Sequence, residues 1–531
     1  MAAAEALKEL IATRTTTTGD QSVVDRIKKT QTDELVFALC GPIGSPIHAV
    51  AASLSTTAKA FGYEPEIILL SDYISEHKKK ADLSKDAQQT GSDAFKRVRS
   101  LIEIGNELRD KYGAGILTEL GITRILQKRV KTKNETESKR FAPIRRCHIF
   151  DSIKNQAELD VLRLVYGNLL FCVGITAPLS NRKGQLAMRG LIEEEINTLI
   201  SQDSGEELEH GQTVRDTFPQ SDYFIKIDKQ ADAEAIDEIN KQSHRLLSLI
   251  TQTKISTPSI AETAMYAATS SAAKSACLSR QVGAAITDSA GKIIGTGWND
   301  VPRFGGGLYD HINAENDTDK RCYLGEVCHN DDRKAVIVEE TISKLIKEGL
   351  IDPAKKDDAG RAIANSRVRD LIEFSRAVHA EMLAIINTSQ STGSQMKGGT
   401  IYCTTYPCHS CARHIVAAGI EEVVYIEPYR KSLAIVLHGD ALTETGEKNK
   451  VRLTQYAGVA PRRFLSLFQA ESNSRKKDGK KRSPDAATAN IVSRVSLESI
   501  PVLEGLVLDE IVKTGLIERQ EEARGDEKRS A

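Results

Sequence analysis

Two cysteines in a Cys-x-x-Cys pair, Cys408 and Cys411, and a histidine from a separate stretch of chain, His379, constrain this fold more than any other feature. A two-residue gap lets one helical turn present both thiolates to a single ion, and the chain must then return His379 to the same point. Three protein ligands leave the fourth position of a tetrahedral zinc ion to water, whose pKa falls from about 15.7 to about 7. Glu381, two residues after the histidine, is placed to take that water's proton and hand it on. It reads as a proton carrier and not as a ligand.

The neighbouring sequence suits this arrangement. Gly399 to Thr405 reads as a strand running into Pro407, Cys408 to Ala418 as a helix ending at Gly419, and Val378 to Asn387 as a second helix. Proline suits the first turn of a helix, and the positive end of the helix dipole favours thiolates. A closed structural zinc site needs a fourth ligand nearby, but the nearest extra histidine, His409, lies inside the cysteine pair. The pattern H-x-E…P-C-x-x-C is that of zinc deaminases, which hydrolyse an amino group from a nucleobase.

Upstream, Ser279 to Ile286, Lys292 to Gly297 and Trp298-Asn299-Asp300-Val301-Pro302 read as a helix end, a hairpin turning at Asp288 to Gly291, and a loop presenting Asn299. From about Pro258 to Tyr429 the chain resembles the deoxycytidylate (dCMP) deaminase family. That resemblance gives Asn299 a substrate-binding role, the alternative being an asparagine that simply holds a turn. Arg280, Arg303, Arg430 and Lys431 are the cations nearest these motifs, and Arg280 is the candidate for a nucleotide phosphate. An insertion over residues 303–375 carries Cys322, Cys328 and His329. A second zinc site there stays open, because the cysteine spacing is looser than zinc knuckles use and reduced cysteines are often small core residues.

The first half is different. Glu34 to Cys40 reads as a buried strand, followed by Gly41-Pro42-Ile43-Gly44-Ser45-Pro46-Ile47-His48, a helix through Ala60 and a strand at Glu66 to Leu70. This is the order of a P-loop, with Gly41, Gly44 and Ser45 as its nucleotide-binding candidates. The letters depart from it: Pro46, Ile47 and His48 stand where a Walker loop has glycine, lysine and Ser/Thr. Without that lysine the phosphates lose their main charge partner, so phosphoryl transfer is not expected. Later strands are expected at His148 to Ile153, Leu169 to Ile175 and Asp222 to Ile227, with Arg182 and Arg189 where nucleotide kinases carry lid arginines. A sheet of this kind fits a nucleotide sensor, with a scaffold as the alternative.

The expected fold class is therefore α/β: an N-terminal extension (1–30), a degenerate P-loop NTPase-like parallel sheet with helices (31–235), a cytidine-deaminase-like α/β/α three-layer domain (250–470), and a polar C-terminal extension (471–531). Within that extension Ile500 to Leu508 is expected to pack on the deaminase core or another subunit. The basic run Arg475 to Arg482 is expected to be a solvated loop, and Glu518 to Ala531 to be frayed.

Across nearly its whole length the chain resembles bacterial anti-phage dCTP deaminases, which join a degenerate P-loop kinase-like half to a dCMP deaminase half. The most specific parts are the two zinc motifs and the run from Glu427 to Ala441. The resemblance implies Zn²⁺-dependent conversion of dCTP and dCMP to uracil nucleotides, depletion of dCTP in antiviral defence, and a homo-oligomer, a hexamer being one form. It also implies a regulatory nucleotide at the P-loop-like half and, in some members, an inhibitory small RNA.

Composition narrows the alternatives. A formal net charge of −1 and 5% aromatic residues disfavour a large nucleic-acid surface, which needs basic excess and stacking rings. No apolar run reaches the roughly 18 residues of a membrane span, Met1 to Glu5 lacks a secretory signal, and nine cysteines without framework spacing suit the reducing cytoplasm. Free deoxycytidine nucleotides are thus the expected substrates. A nucleic-acid editing deaminase and a nucleotide-sensing regulator with structural zinc stay open as the other classes.

Overall fold

The computed structural model describes residues 22–81, 91–136, 141–203, 214–229, 233–428, 432–470, 475–482 and 484–517. The phosphate candidates Arg430 and Lys431, the first 21 residues of the N-terminal extension and the tail from Glu518 to Ala531 lie outside these residues.

All six residues of Leu35–Cys40 (β1) are inaccessible to solvent, as a continuous apolar run in the middle of a parallel sheet requires. Around it come Ile47–Ala60 (α1), Glu64–Leu69 (β2), Ile116–Glu135 (α2), Arg146–Ile153 (β3), Leu170–Thr176 (β4), Leu179–Met188 (α3), Glu193–Asp203 (α4), Tyr223–Lys226 (β5) and Ala233–Ile250 (α5). The five strands are parallel in the order β2-β3-β1-β4-β5. The loop from Gly41 to Pro46 leaves the carboxyl end of the central strand, where open α/β sheets place their ligand crevices.

Helix α5 extends this unit beyond the expected boundary at residue 235. Its buried face includes Ile239, Ser243, Leu246 and Leu247, and Ser53 Oγ of α1 donates to Asn240 Oδ1 at 2.7 Å and contacts Ser243 Oγ at 3.0 Å.

The second unit runs through Ile260–Ala272 (α6), Gly283–Thr287 (β6), Ile293–Trp298 (β7), His329–Lys347 (α7), Ala380–Thr392 (α8), Thr400–Thr405 (β8), His409–Ala417 (α9), Glu422–Glu427 (β9), Leu442–Thr443 (β10) and Val451–Gln455 (β11). Its sheet has the order β10-β11-β9-β8-β6-β7. The first four are mutually parallel, and β6 is antiparallel to both its neighbours.

Side-chain alternation along β6 separates the two faces of this sheet. Ala284 and Ile286 join the core containing Ala380 and Ala384 of α8, whereas Ala285 joins Ala264 and Ala268 of α6. The result is three layers, α/β/α. Two glycines let the helices come down to backbone contact: a Cβ on Gly283 would stand 1.9 Å from the Ala268 carbonyl oxygen, and one on Gly297 would stand 2.4 Å from that of Ala380.

The two units share one core instead of meeting at a linker. Gly458–Val459 (β12) pairs antiparallel with β5 of the first sheet, and the apolar cluster around β1 continues through α5 and α6 to Tyr402 and Val424. Arg245 clasps Glu262 with two 2.8 Å hydrogen bonds, and Glu262 also accepts from the Val459 and Ser259 amides at 2.8 Å each.

The C-terminal segment also differs from expectation. Ile500–Lys513 (α10) packs on α2 of the first unit and not on the deaminase core, and Val495–Ser496 pairs with Gln31–Thr32. A buried charge fixes this choice. Arg129 of α2 is 4% exposed and bonds Glu34 at 2.7 and 3.0 Å and Glu504 at 3.0 Å twice. A guanidinium taken out of water requires paired carboxylates, and α10 brings the second one. Lys476–Lys477 and Lys480–Lys481 form a small hairpin on the surface. No helix among the described residues is long and apolar enough to cross a membrane.

Candidate active site

Two helix starts converge on one point. His379 is the N-cap of α8 and Cys408 the N-cap of α9, where the Cys408 sulfur accepts the Cys411 amide. Both helices therefore aim their positive dipole ends at the same place. Nδ1 of His379 lies 3.3 Å from Sγ of Cys408 and 3.3 Å from Sγ of Cys411. A tetrahedral zinc ion with bonds of about 2.0–2.3 Å separates its ligand atoms by roughly 3.5 Å, so the three side chains fit Zn²⁺ with little adjustment. Among the described residues this is the only group of three or more His, Cys, Asp or Glu side chains that converges so closely. Cys322, Cys328 and His329 do not assemble a second such group, although all three line the adjoining cavity.

The electrostatics favour a charged centre. The hydrogen bond from Cys411, followed by that from His379, holds the Cys408 thiol well below its ordinary range. Cys411, its partner in that hydrogen bond and buried besides, is pushed up. His379 is raised to about 9, first by its hydrogen bond to Cys408. Glu381, on the first turn of α8, is 4% exposed, and burial followed by the Cys408 charge raises its carboxyl above the usual range. A carboxyl raised in this way holds a proton more readily, as a proton carrier must.

The cavity beside these groups has a volume of about 200 Å³ and is walled by the Cys277-to-Val282 loop, the Tyr406 turn and the insertion. The insertion is anchored beside it by Arg321, which is 9% exposed, chelates Asp319, reaches the Asp310 carbonyl at 3.2 Å and lies 3.8 Å from Asp300.

Asn299 lines the cavity, with Oδ1 accepting the Val282 amide at 2.8 Å and Nδ2 donating to the Arg280 carbonyl at 2.9 Å. The residue thus holds the turn, and one lone pair and one proton of the amide are left for a ligand. Arg280 also lines the cavity, half-exposed and paired with Glu427. Gly41, Gly44 and Ser45 are not part of this cavity; they sit in the loop between β1 and α1 of the other sheet.

Three further residues belong to the site. Cys403 of β8 is fully buried, and burial followed by the charge of Glu381 pushes its thiol up. Tyr406 lines the cavity, donates to Glu444 at 2.8 Å and meets Tyr425 edge-on at 4.9 Å. Arg376 lines the cavity from the stretch just before His379. Period-two alternation on β8 could have flagged Cys403, which shares its face with Ile401 of the same core. The spacing of Arg376 from the histidine carried no such signal.

Fold and site together define a three-layer α/β/α protein with a three-ligand zinc centre and a buried carboxylate at its edge. Residues 258–427 match the family described as the cytidine and deoxycytidylate deaminase zinc-binding region. The chain is 30% identical over 162 residues to the deoxycytidylate deaminase of Enterobacteria phage T2, a match covering 30% of this chain and 75% of that protein. It is also 30% identical over 94 residues to the deoxycytidylate deaminase of Homo sapiens, covering 18% and 44% respectively. A superposition on the crystal structure of dCMP deaminase from cyanophage S-TIM5, in complex with dCMP and dUMP, covers 38% of this chain and 99% of that one, with 20% identity and a TM-score of 0.22. The chain belongs to the deoxycytidylate deaminase family.

Proposed function

We propose that this protein hydrolyses the exocyclic amino group of deoxycytidine nucleotides, converting dCMP to dUMP and dCTP to dUTP with release of ammonia. The observation that carries the reading is the convergence of His379, Cys408 and Cys411 beside the buried carboxylate of Glu381 in one cavity. His379, Cys408 and Cys411 would hold the zinc ion, which when bound supplies the Lewis acidity that makes water a nucleophile at neutral pH.

The chain's own residues carry the rest. Glu381 accepts a proton as water adds to C4 of the cytosine ring and delivers it to N3. It then takes the second proton from the C4 hydroxyl and delivers it to the amino group, so that the C4–N bond breaks as the C4 carbonyl forms, leaving the uracil nucleotide and ammonia. Asn299 orients the base or sugar with its remaining donor and acceptor. Arg280 and Arg376, both lining the cavity, supply positive charge for the phosphates.

Support for a triphosphate substrate and a role in antiviral dCTP depletion comes from the resemblance of the whole chain to anti-phage dCTP deaminases. Purified protein offered dCTP, dCMP, CTP, deoxycytidine and single-stranded DNA in turn tests the reading through ammonia release and the uracil product. Turnover of dCTP and dCMP supports it, and turnover confined to DNA would establish an editing enzyme instead.

A further inference from the structure

In the first unit a cavity of about 410 Å³ lies between α2, the short helix Leu70–Glu76 and Ile517 of the C-terminal segment. It shares no residue with the zinc cavity or with the glycine loop between β1 and α1. Helix α2 lines it with three cations, Arg124, Lys128 and Lys131, whose spacing puts them on one helical face. Their own pairing is thin. Arg124, at 3.6 Å, and Lys128 share the single carboxylate of Glu66 on the edge strand β2, and Lys131 is 77% exposed and 3.9 Å from Glu135. Exposed pairs of this kind are worth about 0–1 kcal/mol, so these cations exchange partners at little cost. Glu76 is the one acid lining the cavity, and Lys78 to Lys80 follow directly after His77 of the same wall.

Two buried hydroxyls face this charge without a partner. Thr123 is 3% exposed and Tyr73 is 5% exposed, both line the cavity, and neither hydroxyl has a hydrogen-bond partner among the described residues. Burial, against the pull of the Arg124 charge, pushes the Tyr73 phenol up to about 12, so it keeps its proton at neutral pH and can donate. Unpaired buried polar groups are rare and mark places where another group completes the bonding. Leu120 and Ile517 add an apolar stretch to the wall. A concave site with apolar surface and a few convergent polar groups is the usual form of a small-molecule pocket.

We propose that this cavity binds a small organic phosphomonoester, its phosphate held by Arg124, Lys128 and the Thr123 and Tyr73 hydroxyls and its apolar body laid over Leu120 and Ile517. A phosphomonoester brings close to two negative charges and three acceptor oxygens, enough to engage two cations and two hydroxyl donors at once. A carboxylate has one charge and two oxygens and leaves donors unpaired, while bare phosphate leaves the apolar wall uncovered. The inference stands apart from the zinc centre and does not depend on the reaction catalysed there.

Calorimetric titration of the full chain with phenyl phosphate, inorganic phosphate and benzoate tests it. Phenyl phosphate is expected to bind most tightly. Arg124→Gln should weaken it by about tenfold or more, and Thr123→Val, which replaces the hydroxyl by a methyl group, by about fivefold. Absence of binding to the wild type, or affinity unchanged in both variants, would overturn the proposal. Equal affinity for inorganic phosphate would overturn its organic part, and equal affinity for benzoate its preference for phosphate. Should Arg124→Gln not fold, the wild-type chain decides. Millimolar phenyl phosphate must slow amide hydrogen exchange over Leu70 to His77 and Leu120 to Lys128, and unchanged exchange there contradicts a site.

Discussion

Gly297 and Ala380 touch backbone to backbone: a Cβ on the glycine would stand 2.4 Å from the Ala380 carbonyl oxygen and equally close to the Ala384 amide nitrogen. The first turn of α8 carries Glu381 and is capped by His379, so this strand glycine sets the height of the Glu381 carboxylate above the sheet. Gly297→Ala pushes α8 outward. It is expected to cost about 1–3 kcal/mol of stability, as overpacking of a dense core does, and to lower zinc occupancy and turnover together. Thermal unfolding and metal analysis of the purified variant check this, and unchanged zinc content would show that α8 accommodates the methyl group.

The metal ligands are expected to behave as one unit. Cys408→Ser, Cys411→Ser and His379→Ala each remove one of only three protein ligands, and all should lose zinc together with activity. Metal content measured on the three proteins checks this. Full zinc in any one of them would exclude that residue from the ligand set.

Glu504 brings the second carboxylate to the buried guanidinium of Arg129. Glu504→Ala leaves that charge half-paired and is expected to destabilise the chain by about 3–5 kcal/mol. The loss should be visible in denaturant unfolding, while the zinc ligands of the folded fraction are untouched. A loss below about 1 kcal/mol would mean that α10 contributes little to holding the first unit together.

Glu119 of α2 makes stability pH-dependent in a defined direction. Burial first, and then the charge of Glu510, raises its carboxyl from 4.5 to about 7. Between these values the folded chain holds more protons than the unfolded chain, so this group's contribution falls as pH rises through the window and its full cost is present above about 7. Glu119→Gln is therefore expected to raise stability at pH 8 by on the order of 1–3 kcal/mol and to change little at pH 4.5. Unfolding curves at the two pH values check the sign.

The zinc centre was legible in the sequence because its chemistry is written in short spacings. His379, Glu381, Cys408 and Cys411 each lie at or next to a helix start marked by local signals, and the structure brings them together. The parallel first sheet was legible from the apolar run of β1. The shared core was not, because it depends on distant pairings such as Arg245 with Glu262 and β12 with β5, which leave no local pattern. For the same reason the C-terminal helix was assigned to the wrong neighbour: its apolar face says only that it packs, and the buried Glu504 that selects Arg129 looks like any surface glutamate in a sequence. Cys403 was read only as part of a strand, since its meaning comes from the carboxylate opposite it.

The most direct test of the account is the rate of ammonia release from dCMP and dCTP by the wild-type chain and by Glu381→Ala, with zinc measured on the same samples. The account predicts turnover by the wild type and a loss of about 10²–10⁴-fold in the variant at undiminished zinc content. Comparable turnover by a fully zinc-loaded Glu381→Ala protein would contradict it, because the proton would then be carried by some other group.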